Sequence, residues 1–129
     1  MNKKAFIPKA DQLVRQVVII ALDLPQDKIG SRAKRELITS STQAVSNLNL
    51  ASLENIGKES VNKLNLVMEQ IGKTKFWLNF LKDEGYLETE AISKQIKLSD
   101  EIISSLLYVR QEDEKSIVAS YPGEWFLDD

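Results

Sequence analysis

The chain contains neither cysteine nor histidine, and each absence excludes a class of functional site. Without cysteine there is no disulfide bond, no thiol nucleophile and no thiolate ligand for a metal. Without histidine there is no Ser-His-Asp triad, no usual general base and no usual ligand for zinc or a di-iron centre. A catalyst would depend on carboxylates, lysine, serine or tyrosine alone. We therefore predict that the protein is not an enzyme and uses no metal or other cofactor.

Proline and glycine are scarce as well, with three and five residues in a chain of 129. This scarcity leaves room for long helices, because both residues disfavour helix interiors. No apolar run approaches the roughly 18 residues of a membrane span, and the first residues, MNKKAFIPKADQ, lack the apolar core of a secretory signal. With 43% hydrophobic and 28% charged residues, we expect a globular cytoplasmic protein that makes no contact with a membrane.

The strongest positive signal is the spacing of apolar residues in the segment 62–87. They recur at alternating steps of three and four, which places them on one stripe of a helix; this stripe consists of Leu64, Val67, Ile71, Thr74, Leu78 and Leu81. Val61, Met68, Trp77 and Phe80 form a second stripe beside it. Gly85 can adopt a positive φ, so the helix can end there. Trp77 and Phe80 are either buried in one bundle or part of a subunit interface.

Similar patterns predict four helices in all, over about residues 9–23, 28–50, 58–84 and 88–112. The core faces of the other three are predicted to consist of Leu13, Val17, Ile20 and Leu24; Ile29, Ala33, Leu37, Ala44 and Leu48; and Ile92, Ile96, Ile102, Ile103, Leu106, Leu107 and Val109. The run VVII at 17–20 could form a strand, but neighbouring polar residues recur at helical intervals and no partner strand is evident. Pro25 ends the first helix and Asp27 is a suitable N-cap for the second. The predicted fold class is all-α.

The centre of the second helix, TSSTQAVSN at 39–47, is rich in small hydroxylated residues. Serine and threonine are poor choices in a helix interior on propensity alone. Their small size allows two backbones to approach closely, which predicts a tight contact between helices. The alternative is a hydroxyl-lined site for a phosphate or nucleotide, although no glycine-rich loop accompanies it.

Past Glu114 the helical pattern stops, so we predict a bundle over residues 1–114 and a non-helical aromatic and acidic C-terminal tail over 115–129. Pro122 cannot continue a helix. The aromatic residues Tyr121, Trp125 and Phe126 are expected to fold back on the bundle or to dock in a groove of a neighbouring copy. The alternative is a linear motif that another protein recognises.

The net charge of −2 is unevenly distributed along the chain. Residues 1–35 carry a net charge of +5, whereas residues 36–129 carry −7. Such a split can mark a basic face that meets a polyanion, or it can reflect helices that merely expose more lysine. On the first interpretation, the candidate nucleic-acid contacts are Lys3, Lys4, Lys9, Arg15, Lys28, Arg32, Lys34 and Arg35.

The segment KTKFWLNFLKDEGYLETEAIS at 73–93 resembles the bacterial four-helix-bundle family of 23S ribosomal RNA intervening-sequence proteins. LPQDKIG at 24–30 is similar to the family's first interhelical loop, and the likeness covers roughly residues 8–110. The resemblance implies an antiparallel up-down-up-down bundle that assembles into a homopentameric ring. It also implies kinship with the accessory variability determinant of diversity-generating retroelements, a basic pentameric barrel that binds nucleic acid and partners a reverse transcriptase. The acidic balance of this chain departs from that basicity.

We therefore predict a non-enzymatic, oligomeric nucleic-acid-binding or ribonucleoprotein accessory module. Its expected partners are further copies of itself, RNA or DNA, and a protein such as a reverse transcriptase. The alternative is a protein-interaction scaffold that uses an acidic face and the aromatic tail. The residues predicted to lie at an oligomer or partner interface are Trp77, Phe80, Tyr121, Trp125 and Phe126.

Overall fold

A computed structural model describes residues 3–120 and shows four α-helices. A short 3-10 helix, Lys3–Phe6, leads into α1 (Ile7–Leu22), which is followed by α2 (Lys28–Leu53), α3 (Lys58–Asp83) and α4 (Thr89–Ser120). No strand occurs in this part of the chain, and the VVII run lies within α1. The predicted all-α class is therefore confirmed for the described residues.

Contacts between side chains define how the helices run. Each helix packs against the next, and α4 returns to contact α1. Ser40 of α2 meets Thr74 of α3, while Arg32, nearer the start of α2, meets Trp77, nearer the end of α3. Helices α2 and α3 are thus antiparallel, so the start of α2 lies beside the end of α3.

The predicted helix ends follow from local chemistry. The Asp27 carboxylate accepts a hydrogen bond from the Gly30 backbone N–H at 2.7 Å, as expected of an N-cap. Gly30 must be small, because a Cβ atom there would collide with the Pro25 carbonyl oxygen. Gly85 follows α3 with a φ of +81°, which confirms it as the residue that permits the helix to end.

The predicted stripe of α3 forms the centre of the core. All six of its residues are at most 1% exposed, since they face the other helices at successive turns. The predicted core is wrong at two positions, because Ile29 and Leu107 are 38% and 37% exposed. Ile29 belongs to the first turn of α2, where Gly30 and Ala33 take the inner positions.

The hydroxyl-rich centre of α2 lies at a close contact with α3, as one interpretation predicted. The hydroxyls of Ser40 and Thr74 are buried and 2.7 Å apart. The Ser41 hydroxyl donates to the Leu37 carbonyl at 2.7 Å. These hydroxyls satisfy each other or the helix backbone, which favours the packing interpretation over a phosphate site.

The expected boundary after Glu114 is wrong, because α4 continues to Ser120. Asp113 and Ile117 extend the inner face of the helix and are 6% and 4% exposed. The Asp113 carboxylate lies 3.2 Å from the Lys3 ammonium, which compensates its charge. Asp113 is charged although it lies on the inner face, so it interrupts the apolar pattern from which the end of the helix was predicted. The predictions for Tyr121, Trp125 and Phe126 lie outside the described residues.

Candidate nucleic-acid interface

A groove of about 520 Å³ lies between the start of α2 and the end of α3. It is lined on the α2 side by Lys28, Ile29, Ser31, Arg32 and Arg35, and on the α3 side by Trp77 and Phe80. We call it the basic-aromatic groove. Its two walls face each other because α2 and α3 are antiparallel and pack extensively along their lengths.

The basic wall of the groove is built by helical spacing. Lys28, Arg32 and Arg35 stand four and three residues apart, so they share one face of α2. All three are exposed, since Ala33 and Leu37 supply the inner face of the same turns. Arg32 forms an exposed ion pair with Glu36 at 3.1 Å. This pair contributes little stability and leaves Arg32 able to exchange Glu36 for another anion.

The aromatic wall is a cluster of three rings on α3. The Trp77 ring makes edge-to-face contacts with Phe76 and Phe80, each with centroids 5.5 Å apart. The Phe76 and Phe80 rings are inclined by 21°, with centroids 6.2 Å apart. Trp77 and Phe80 are half-buried, whereas Phe76 is 58% exposed. The cluster therefore presents a fixed aromatic surface toward the outside of the bundle.

A cation–π contact joins the two walls. The Arg32 guanidinium carbon lies 5.8 Å from the centroid of the Trp77 ring. This is near the outer limit of about 6 Å for such contacts, so the guanidinium covers the ring only loosely.

A hydrogen-bonded clamp fixes the start of α2 at one end of the groove. The Tyr86 hydroxyl, in the α3–α4 connection, donates to the Asp27 carboxylate at 2.8 Å. The bonds from Gly30 and Tyr86 lower the pKa of Asp27, because both stabilise the charged carboxylate. The same bond to Asp27 raises the pKa of Tyr86. The clamp connects the α3–α4 connection to the N-cap residue immediately before the basic wall.

Only some of the predicted nucleic-acid contacts are brought together. Lys28, Arg32 and Arg35 share the groove with Trp77 and Phe80, which were predicted to lie at an oligomer or partner interface rather than to contact nucleic acid. The remaining five predicted contacts are not among the groove residues: Lys3, Lys4, Lys9, Arg15 and Lys34.

Lys3 requires a correction. It is 8% exposed and its ammonium is paired with Asp113, so it serves the interior of the fold and is withdrawn as a phosphate contact. Arg15 is exposed on α1, where its Nε atom donates to Asp11 at 2.8 Å. Lys4 is exposed in the 3-10 helix and Lys34 is half-buried in α2.

Lys9 lies at a second, more polar groove of about 340 Å³ between α1 and α4. Lys94 and Lys97 of α4 share this groove with Gln12, Gln16 and Glu101. Lys94 and Lys97 were not predicted, because basic residues do not outnumber acidic ones in that part of the chain. Their spacing of three residues on a helix was the signal that could have found them. Phe76 and Tyr86 were also missed.

These features define the molecule as a four-helix protein with a basic-aromatic groove. No protein-family model, no curated protein and no solved structure matches the chain. Among residues 3–120, no helix is both long and apolar enough to cross a lipid bilayer.

Proposed function

We propose that this protein is a non-enzymatic nucleic-acid-binding accessory module and that the basic-aromatic groove contacts the ligand. One observation carries the proposal: three predicted phosphate contacts and two aromatic residues, far apart in sequence, line the same groove. Cationic side chains neutralise phosphates, and aromatic side chains offer a surface on which bases stack. The resemblance to intervening-sequence proteins and to a retroelement accessory protein points to the same class of ligand.

The charge of the whole protein limits how this binding can work. The net charge is −2 and the isoelectric point about 5.3, so general attraction to a polyanion is weak. Binding must therefore depend on local cations. Among residues 3–120, Lys28 and Arg35 form no ion pair within the protein, which leaves their charges for a ligand.

We further propose that the module works as a homo-oligomer in the cytoplasm. The resemblance implies a homopentamer, and large apolar side chains on the surface support burial against further copies. The most exposed aliphatic ones are Ile19, Leu22, Leu53 and Ile56. A ring repeats the groove once in each copy, so weak contacts combine through multivalency. A reverse transcriptase as protein partner is supported by the resemblance alone.

Salt dependence and charge removal test the proposal. If three cations contact phosphates of a single strand, the affinity at each groove should fall about 20-fold between roughly 50 and 200 mM salt. Arg35→Gln should weaken binding about tenfold, since it removes one charge-assisted contact. Fluorescence anisotropy of a labelled oligonucleotide measures both effects.

Lys115→Gln is the matched control for this experiment. Lys115 is an exposed cation of α4, paired with Glu112 at 3.4 Å, and it does not line the groove. Its loss should leave the affinity unchanged. Absence of binding at low salt, or an equal loss in both variants, would contradict the proposal.

A further inference from the structure

We infer that the ligand of the basic-aromatic groove is single-stranded RNA or DNA, with an unpaired base stacked on Trp77 and Phe80. This inference rests on the proposed function and adds the form of the nucleic acid and the mode of contact.

The arrangement of the two walls favours a single strand. Lys28, Arg32 and Arg35 all stand on the α2 wall, over about 10 Å of helix axis. The aromatic rings stand on the opposite wall. A strand that runs along α2 would place its phosphates against the cations and turn its bases toward α3. Phosphates and bases would then meet the side chains that suit each of them.

A double helix cannot use the aromatic wall in this way. The faces of its bases are covered by neighbouring base pairs, whereas an unpaired base exposes both faces to an aromatic ring. A groove of about 520 Å³ also has the size of a site for a small ligand rather than for a duplex. A duplex could therefore contact only the cations at the rim.

The aromatic surface is accessible to a base. Phe76 is 58% exposed beside the groove, so the cluster continues outward as a platform for a second base. Arg32 lies at the far end of the cation–π range from Trp77. Its guanidinium can move to a phosphate while a base takes the ring, or it can stack on the base from the other side.

Tryptophan fluorescence can test this contact directly. The chain has two tryptophans, so in a Trp125→Phe background the emission reports Trp77 alone. The ligands are oligo-U, oligo-dT, an abasic oligodeoxynucleotide and a duplex, each of about 12 nucleotides per strand. We expect both single strands to quench Trp77 and to bind about tenfold or more tightly than the abasic strand. The abasic strand should leave the emission unchanged.

Two variants, Trp77→Leu and Phe80→Leu, test which aromatic ring stacks on the base. With the chain otherwise unaltered and binding measured by anisotropy, Trp77→Leu should reduce the affinity for single strands toward that of the abasic strand. Tyr108→Leu is the matched control, because Tyr108 is a 52% exposed aromatic residue of α4 and does not line the groove. Phe80→Leu provides a second test, and circular dichroism confirms that each variant keeps its helices.

The outcomes separate the two proposals. If no oligonucleotide binds at low salt, the proposed function itself fails. If single strands, duplex and abasic strand bind alike and Trp77 emission does not change, the groove binds phosphates and the stacking inference is overturned. If only oligo-U or only oligo-dT quenches Trp77, the inference holds and the type of nucleic acid is identified.

Discussion

At the scale of single residues, Asp27 organises the start of the basic wall. Its carboxylate accepts hydrogen bonds from the Gly30 N–H and the Tyr86 hydroxyl. These bonds lower the pKa of Asp27, with the Gly30 bond as the larger cause. Asp27 therefore stabilises the fold above its ordinary pKa of 3.8, and this contribution is lost as pH falls through its lower folded-state pKa. Tyr86 has a raised pKa, so its contribution is present below 10.0 and lost as pH rises through the folded-state value.

Tyr86→Phe tests this clamp. The variant should melt below the wild type at neutral pH, because Asp27 loses a partner for its charged form. The difference should narrow at acidic pH, as Asp27 becomes protonated in both proteins. Thermal unfolding followed by circular dichroism at several pH values measures this difference in melting temperature. Tyr108→Phe, which removes an exposed hydroxyl from α4, should change nothing, and a difference independent of pH would contradict the assigned role of Asp27.

At the scale of secondary-structure elements, α4 shows how a charge can lie on an inner face. Asp113 and Lys3 form an ion pair whose side chains are 8% and 10% exposed. The pair joins the last third of α4 to the 3-10 helix that precedes α1. Removing one member of a buried pair leaves an uncompensated charge, whereas replacing both with apolar residues is often neutral or stabilising.

We therefore expect Lys3→Met to lower the free energy of unfolding by about 3 kcal/mol. Lys3→Met combined with Asp113→Leu should recover most of that loss. Urea unfolding of the single and double variants measures the coupling between the two side chains.

Lys115→Met is the control for this pair, since Lys115 has a side chain 76% exposed and forms a surface pair with Glu112. Its effect should stay within about 0.5 kcal/mol. A loss no larger for Lys3→Met than for Lys115→Met would show that the Lys3–Asp113 pair contributes little.

At the scale of the whole molecule, α4 carries the C-terminal end of the described chain away from the groove. Its 32 residues extend about 48 Å from the α3–α4 connection, which adjoins the groove, to Ser120. Asn65 of α3 accepts a hydrogen bond from Arg110 of α4, so the last third of α4 lies beside the first third of α3 rather than beside Trp77.

Light scattering tests the proposed assembly. We expect the full chain to have close to five times the protomer mass of 14.6 kDa. A chain ending at Ser120 should keep its helices and form a smaller species, if the tail contributes to the interface. The cut must follow Ser120, because Ile117 is buried. A full-length monomer at high concentration would contradict the assembly, whereas an unchanged mass on truncation would exclude the tail from it.

The sequence alone was sufficient for the presence of four helices and for much of the core, but not for the C-terminal end of α4. The buried stripe of α3, the N-cap at Asp27 and the helix end at Gly85 were predicted correctly, because each depends on residues within a few positions of one another. Ile29 was assigned to the wrong face, since a first turn has less apolar pattern to fix its orientation. The class of ligand and the oligomeric state stay predictions.

Only the tertiary structure decided which distant residues meet. Tyr86 reaches Asp27 across 59 positions, and Lys3 neutralises Asp113 from the other end of the described chain. The groove also depends on the tertiary structure, because the antiparallel packing of α2 and α3 brings Arg32 to Trp77. Helical periodicity sets which face of each helix is apolar, but it does not set how far one helix slides or turns against the next. That register follows from the packing of the whole core.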